Sequence, residues 1–260
     1  MSKITLTIDN QVVEVKAGAT ILDAAREAGI EIPTLCYHPD LSLHGSCRVC
    51  VVEDLKSGRL LASCVAPAAD GMEISTCSAR TRKARRLNVE LLLANHPNDC
   101  LSCDRSGSCE LQDLAYKLGI RRENIERFAG EKRDLPVDER GPALRREPNK
   151  CILCGRCVRV CEEVQGVSAL DFTGRGFDSM VTTAFDLPLS EINCANCGQC
   201  AVVCPVGAIT EISEIERVWE AIDDPDKVVV VQTAPAIQAS IGEEFGLPAG
   251  TVVTGKLVAA

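Results

Sequence analysis

The stretch CILCGRCVRVC at residues 151–161 returns as CANCGQCAVVC at residues 194–204. Each copy spaces four cysteines as C-x2-C-x2-C-x3-C; Pro205 follows the second copy, where Glu162 follows the first. On a tight loop, cysteines three residues apart turn successive sulfurs toward one centre. The chain of 260 residues has 16 Cys but only eight Phe, Trp or Tyr, so large aromatic cores are not its main source of stability. Small modules that bury little apolar surface need disulfides or metals. Disulfide frameworks belong to secreted chains, and the N-terminus MSKITLTIDNQVVEV has none of the charged, apolar and small-residue regions of a signal peptide. No stretch approaches the ~18 uninterrupted apolar residues of a membrane span. The chain therefore reads as cytoplasmic and soluble, with its thiolates serving as metal ligands.

The repeat matches the run that holds 4Fe-4S clusters in bacterial ferredoxins, where the fourth Cys of each run ligates the other cluster. That crossing assigns Cys151, Cys154, Cys157 and Cys204 to one 4Fe-4S site, and Cys194, Cys197, Cys200 and Cys161 to a second. The competing reading is a pair of four-cysteine zinc sites, which normally use two separated C-x2-C knuckles; three close cysteines with a crossed fourth fit it poorly. Upstream, His96, Cys100, Cys103 and Cys109 form a one-His, three-Cys group. By ligand type alone this could bind zinc, but beside ferredoxin runs it reads as a third 4Fe-4S site, in which a neutral imidazole removes negative charge. A helix-terminal surface His is the plainer reading of His96.

Nearer the N-terminus, Cys36, Cys47, Cys50 and Cys64 suit a 2Fe-2S cluster, although their spacing departs from the plant-type C-x4-C-x2-C. Gly45 permits close backbone approach there. His38 and His44 lie beside a site that four thiolates already complete, so they read as neighbours or surface residues. Fifteen cysteines are thereby used, and Cys77 is left as an ordinary small thiol.

Residues 4–15, ITLTIDNQVVEV, alternate on both sides of Asp9 and Asn10 and predict a hairpin. Thr20 predicts the cap of a helix through Ile21, Ala24, Ala25 and Ala28 to Gly29. Ala84, Leu87, Leu91 and Ala94 predict a helix over 79–94, ended by the NHP stretch at 95–97. On it, Arg80, Arg82, Lys83, Arg85 and Arg86 read as a solvated face rather than a docking patch. Residues 119–149 read as a linker or wrapping segment. The run Val228–Val231 predicts a buried strand and 236–245 a helix. The formal charge of −9 argues against a nucleic-acid backbone as partner. No G-x-G-x-x-G, P-loop or nucleophile elbow is present, which leaves no organic-substrate site and no catalytic residue to name.

The order of these groups, with HPNDCLSC, SGSCELQ and PNKCILCGRCVRVC, resembles the N-terminal half of multi-cluster FeFe-hydrogenases. It also resembles the start of the large iron–sulfur subunit of complex I and of NAD-linked formate dehydrogenases. The tail, VVVVQTAPAIQASIGEEFGLPAGTVVTGKLVAA, resembles the opening of the FeFe-hydrogenase catalytic domain, yet no Cys follows residue 204 to hold a hydrogen-activating cluster.

The resemblance implies an α+β chain in several parts: a β-grasp 2Fe-2S domain (1–78), a helical one-His, three-Cys domain (79–118) and a linker (119–140). A two-cluster ferredoxin domain (141–212) and a short α/β remnant of a hydrogenase-like domain (213–260) follow. It implies one 2Fe-2S and three 4Fe-4S clusters, with FMN or FAD on partner subunits only. As a short homologue, the chain is expected to relay electrons between NAD(P)H-binding flavoprotein subunits and soluble ferredoxin in a hetero-oligomer, as in electron-bifurcating transhydrogenases. A fragment or subunit of an FeFe-hydrogenase, or of an NAD-linked formate dehydrogenase, is the alternative.

Overall fold

Asp9 and Asn10 sit in the left-handed region at φ 45° and 69°, as a two-residue type I′ turn requires. They join strand β1 (Lys3–Ile8) to β2 (Gln11–Lys16), with Leu6 opposite Val13 and Ile4 opposite Val15. Period-two alternation sends Leu6, Ile8, Val13 and Val15 inward. Helix α1 (Ile21–Glu27) starts at a capping box: Asp23 N–H donates to Thr20 Oγ1 at 3.1 Å, and Thr20 N–H donates to Asp23 Oδ2 at 2.9 Å. It buries Ile21, Leu22, Ala24 and Ala25, and each fully buried Ile or Leu contributes roughly 1.5–3 kcal/mol. Strands β3 (Val51–Asp54), β4 (Arg59–Ala62) and β5 (Glu73–Ser75) complete a sheet ordered β2-β1-β5-β3-β4. Only the β1–β5 pairing in it is parallel.

The computed structural model describes residues 2–128 and 130–259, in two compact units divided between Ile212 and Ser213. Among the described residues, no helix is long and apolar enough to cross a membrane.

Helix α2 (Ala79–Ala94) starts at Ser78, whose Oγ accepts from Thr81 N–H at 3.1 Å. The helix lies where its periodicity predicts, but its buried face is Thr81, Arg85, Val89, Glu90 and Leu93, while Leu87 and Leu91 are exposed. The basic run is accordingly not a solvated face throughout. Arg85 points into the sheet-side core, where three carbonyls satisfy it. Arg80 pairs with Glu53 at 2.5 Å and Arg86 with Glu90 at 2.9 Å.

Helix α3 (Glu110–Lys117) follows the second cysteine group. Part of the segment read as linker forms α4 (Arg122–Glu126), where Asn124 Oδ1 accepts from Arg121 N–H at 2.9 Å and from Arg86 Nη2 at 2.8 Å. Strands β6 (Leu144–Arg146) and β9 (Ile209–Glu211) pair antiparallel on either side of the repeat, and the hairpin β7 (Asp171–Thr173) and β8 (Met180–Thr182) lies between its copies.

The two copies share one backbone trace. Leu153 and Asn196 take φ of 54° and 51°, and Gly155 and Gly198 take 70° and 76°. Short helices then follow, α5 (Arg156–Arg159) and α6 (Gln199–Val202). After α5 the backbone widens into a π turn over Val160–Val164, which carries Cys161. One apolar cluster unites the first unit. Leu35, Cys36, Cys47 and Val49 pack with Val89 and Leu93 of α2, Leu111 and Leu114 of α3, and Ile152, Cys154, Cys204 and Val206 of the repeat.

The second unit holds helices α7 (Ile215–Asp223), α8 (Pro235–Glu244) and α9 (Thr254–Ala259). The predicted strand at Val228–Val231 is absent: these residues have no regular structure and are exposed by 41–91%. A strand needs a neighbour to satisfy its N–H and C=O groups, and the described residues of this unit supply no other strand.

Candidate metal centres

The repeat builds two cavities. Cys151, Cys154, Cys157 and Cys204 line one, together with apolar Ile152, Leu170, Val181 and Val206. Cys161, Cys194, Cys197 and Cys200 line the other. Left-handed backbone at the third and fifth loop positions turns N–H groups inward. Leu153 N–H donates to Cys151 Sγ at 3.4 Å, Asn196 N–H to Cys194 Sγ at 3.4 Å, and Ala169 N–H to Cys161 Sγ at 3.2 Å. Burial pushes the Cys154 and Cys200 thiols up to about 12 and also raises Cys157 well above its ordinary range. The first cavity is the deeper, with Cys154, Cys157 and Cys204 buried, whereas Cys197 of the second is exposed.

Cys36, Cys47, Cys50 and Cys64 are all buried beside the sheet, with Cys50 Sγ and Cys64 Sγ 3.3 Å apart. Shared protons split their acidities. The hydrogen bond with Cys64 draws Cys50 down to about 6, that with Cys47 draws Cys36 below its ordinary range, and those with Cys36 drive Cys47 and Cys64 up. Gly45, at φ 69°, lets the loop close on this site, since a Cβ there would stand 2.9 Å from Val65 Cγ1.

His96 follows the C-terminus of α2. It is 8% exposed, its Nε2 has no partner among the described residues, and it lines an open pocket with Cys100 and Cys109. Cys103 is not in that lining, but its charge raises Cys109 after burial does, and a Cβ at Gly207 would stand 2.9 Å from its Sγ. Burial draws the imidazole down to about 4, so it is neutral, as a metal ligand must be. Asn98 N–H donates to His96 Nδ1 at 3.3 Å, which favours hydrogen on Nε2. Ligation through Nε2 requires the other tautomer, and Asn98 then loses this acceptor.

These donor sets fit iron–sulfur clusters: thiolate quartets, backbone N–H groups aimed at sulfur, and a buried imidazole nitrogen with nothing else to bind. A four-cysteine zinc site normally uses two separated C-x2-C knuckles, which the two C-x2-C-x2-C-x3-C runs do not provide. When bound, such clusters accept and release single electrons.

The other candidates are placed as follows. Cys77 is exposed. The His38 ring lies 3.7 Å from Asp40. His44 stacks on Phe172, with ring centroids 5.8 Å apart, and packs over Gly155. Sequence reasoning missed the buried arginines among the sites. Arg156 Nη1 and Nη2 grip Glu110 at 2.6 and 2.9 Å, tying the repeat to the first residue of α3. Arg105 Nη2 donates to Cys204 O at 2.6 Å. Nothing in a basic residue's local pattern distinguishes such long-range partners from solvent.

Fold and sites together define a multi-cluster iron–sulfur protein, with a 2Fe-2S domain and ferredoxin-like 4Fe-4S loops. Comparison with known proteins makes the class specific. Residues 1–79 match the family model described as a 2Fe-2S iron–sulfur cluster binding domain, and 85–124 that of the NADH-ubiquinone oxidoreductase-G iron–sulfur binding region. Residues 141–210 match the ferredoxin-like domain of NADH-quinone oxidoreductase subunit 3. A chain in the crystal structure of an NAD+-reducing [NiFe]-hydrogenase in the H2-reduced state superimposes with TM-score 0.75 and 37% identity, over 82% of this chain and 88% of that one. The protein belongs to the family of iron–sulfur chains shared by hydrogenases and NADH-ubiquinone oxidoreductases.

Among curated relatives, the NADP-reducing hydrogenase subunit HndD of Solidesulfovibrio fructosivorans is 47% identical over 265 aligned positions, covering 100% of this chain and 45% of the relative. The NADH-ubiquinone oxidoreductase 75 kDa subunit of Reclinomonas americana is 42% identical over 84% of this chain and 31% of the relative. The 78 kDa mitochondrial subunit of Neurospora crassa is 40% identical over 84% and 29%. The chain thus spans less than half the length of these relatives.

Proposed function

We propose that this chain is the electron relay of a cytoplasmic, flavin-based NAD(P) oxidoreductase complex, passing single electrons between NAD(P)H-oxidising flavoprotein subunits and soluble ferredoxin. In this reading it belongs to a hetero-oligomer of the electron-bifurcating type, with flavin only on its partners. It carries one 2Fe-2S cluster on Cys36, Cys47, Cys50 and Cys64. Three 4Fe-4S clusters are held by His96 with Cys100, Cys103 and Cys109, by Cys151, Cys154, Cys157 and Cys204, and by Cys194, Cys197, Cys200 and Cys161. The corresponding domains are 1–78, 79–118 and 141–212, with 119–140 as linker and 213–260 as a hydrogenase-like segment.

The carrying observation is the single apolar cluster in which cysteines of the first and third of these domains meet side chains of the second. Cys36 and Cys47 share this cluster with Cys154 and Cys204, Cys109 of the His96 group packs against it, and the Cys200 thiol is close enough to act on Cys157. That arrangement suits a branched wire whose outermost site, at exposed Cys197, exchanges electrons with an external carrier. The purified chain should hold iron and acid-labile sulfide, show both 2Fe-2S and 4Fe-4S EPR signals on reduction, and fail to oxidise NADH or NADPH alone. Oxidation by the isolated chain would overturn this assignment.

A second reading is favoured by the match to HndD along the whole chain: the wire of a hydrogenase whose hydrogen-activating part lies elsewhere. Sequencing the locus beyond codon 260 separates the two, because an open frame with further cysteines supports the hydrogenase.

A further inference from the structure

Among the described residues five cationic side chains are buried: Arg85, Arg146, Lys150, Arg156 and Arg159. Three have carboxylates at hand: Arg146 has Asp138 at 3.9 Å, Lys150 has Glu147 at 2.9 Å, and Arg156 has Glu110 at 2.6 Å. Arg85 and Arg159 have none within ion-pair distance among the described residues. Both bind only backbone carbonyls. Arg85 Nε donates to Val49 O at 3.0 Å, and its Nη2 to Val51 O at 2.9 Å and Thr76 O at 3.2 Å. Arg159 Nη2 donates to Cys36 O at 2.7 Å, its Nε to Gly155 O at 3.2 Å, and its Nη1 to Ser42 O.

The carboxylates that act on them from further away are otherwise engaged. Asp9 accepts from Thr76, and Glu163 from Ser42. Burial draws the Arg85 guanidinium below its ordinary range, as befits a cation short of counter-charge. A guanidinium stays ionised in a protein, and an uncompensated buried charge is expensive.

Three of the six carbonyls these side chains grip lie at one thiol quartet. Val49 and Val51 flank Cys50, and Cys36 is itself a member of the thiol quartet. One guanidinium comes from α2 and the other from α5, so two neighbouring modules reach the same site.

We propose that Arg85 and Arg159 are the counter-charges of the four-thiolate site and raise the midpoint potential of its 2Fe-2S cluster, a role that rests on the ligand assignment made above. A tetrathiolate cluster is anionic and gains one further negative charge on reduction, so a fixed cation beside it favours the reduced form. A unit charge about 10 Å away at an effective dielectric near 20 is worth more than tenfold in an equilibrium.

The test is a dithionite redox titration of the purified, cluster-loaded chain, following the 2Fe-2S EPR signal. Arg85→Met and Arg159→Met should each lower the reduced-to-oxidised ratio at fixed potential by about tenfold, which is about 59 mV for a one-electron couple. Arg85→Lys and Arg159→Lys, which keep the charge but lose the fork, should stay near the wild-type midpoint. An unchanged midpoint in the methionine variants overturns the proposal. So does a lysine variant displaced as far as its methionine counterpart, because geometry rather than charge would then set the potential. If a methionine variant loses its cluster, the lysine variant at that position decides in the same way. A wild-type chain without a 2Fe-2S signal would instead refute the cofactor reading.

Discussion

His96 shows how one side chain sets the character of a site. Its Nε2 is buried beside Cys100 and Cys109 without a partner among the described residues; in the proposed ligand set it stands where a thiolate would, as a neutral donor, and less negative charge favours the reduced cluster. His96→Cys should therefore lower the midpoint of one 4Fe-4S signal by at least tenfold in its reduced-to-oxidised ratio and alter its EPR shape. An unchanged titration would remove His96 from the ligand set. The identity of this residue as a candidate was legible from sequence, because cluster ligands lie close together along the chain and their spacing reports the loop. Arg85 was not legible. It stands in a run of five basic residues, and only the docking of α2 on the sheet decides which of them turns inward.

At the scale of elements, the two copies of the repeat form a natural comparison. Gly155 and Gly198 occupy equivalent left-handed positions, but a Cβ at Gly155 would stand 3.0 Å from His44 Nε2 and 3.2 Å from Phe172 Cζ, whereas Gly198 has open space. Gly198→Ala should cost only the backbone term, about 1–2 kcal/mol. Gly155→Ala should cost more, because it also displaces the His44–Phe172 stack. Thermal unfolding of the cluster-loaded variants measures the difference, and equal losses would show that the stack yields freely. The hairpin, the capped helix α1 and helix α2 were all legible from alternation, caps and periodicity. The buried face of α2 was not, since Glu90, 1% exposed, is admitted to it by Arg86 and Arg127, partners that local pattern does not reveal. The Val228–Val231 run misled for a related reason: β-propensity does not supply a neighbouring strand.

For the whole molecule, the metal sites and the apolar core are one construction, because cysteines of two sites are members of the cluster that joins the modules. Removing iron should therefore cost tertiary structure across the first unit as well as cluster absorbance. Circular dichroism unchanged after complete chelation would contradict this. The pH dependence has a definite sign. Burial holds the Cys154 and Cys200 thiols neutral up to about 12, so iron must expel their protons to bind, and falling pH drives the exchange backward. Iron loss to a chelator should be faster at pH 5.5 than at pH 8, and a pH-independent rate would show that proton return does not assist release.

The bare valines at 228–231 also bear on colloidal behaviour. Four consecutive β-branched residues without charge or proline, exposed and unpaired, are the composition of an aggregation-prone segment. The gatekeepers nearest to them are Asp224, Pro225, Asp226 and Lys227 on one side and Pro235 on the other. At high concentration, self-association by strand stacking would begin in this short run, while the cluster-bearing unit stayed folded.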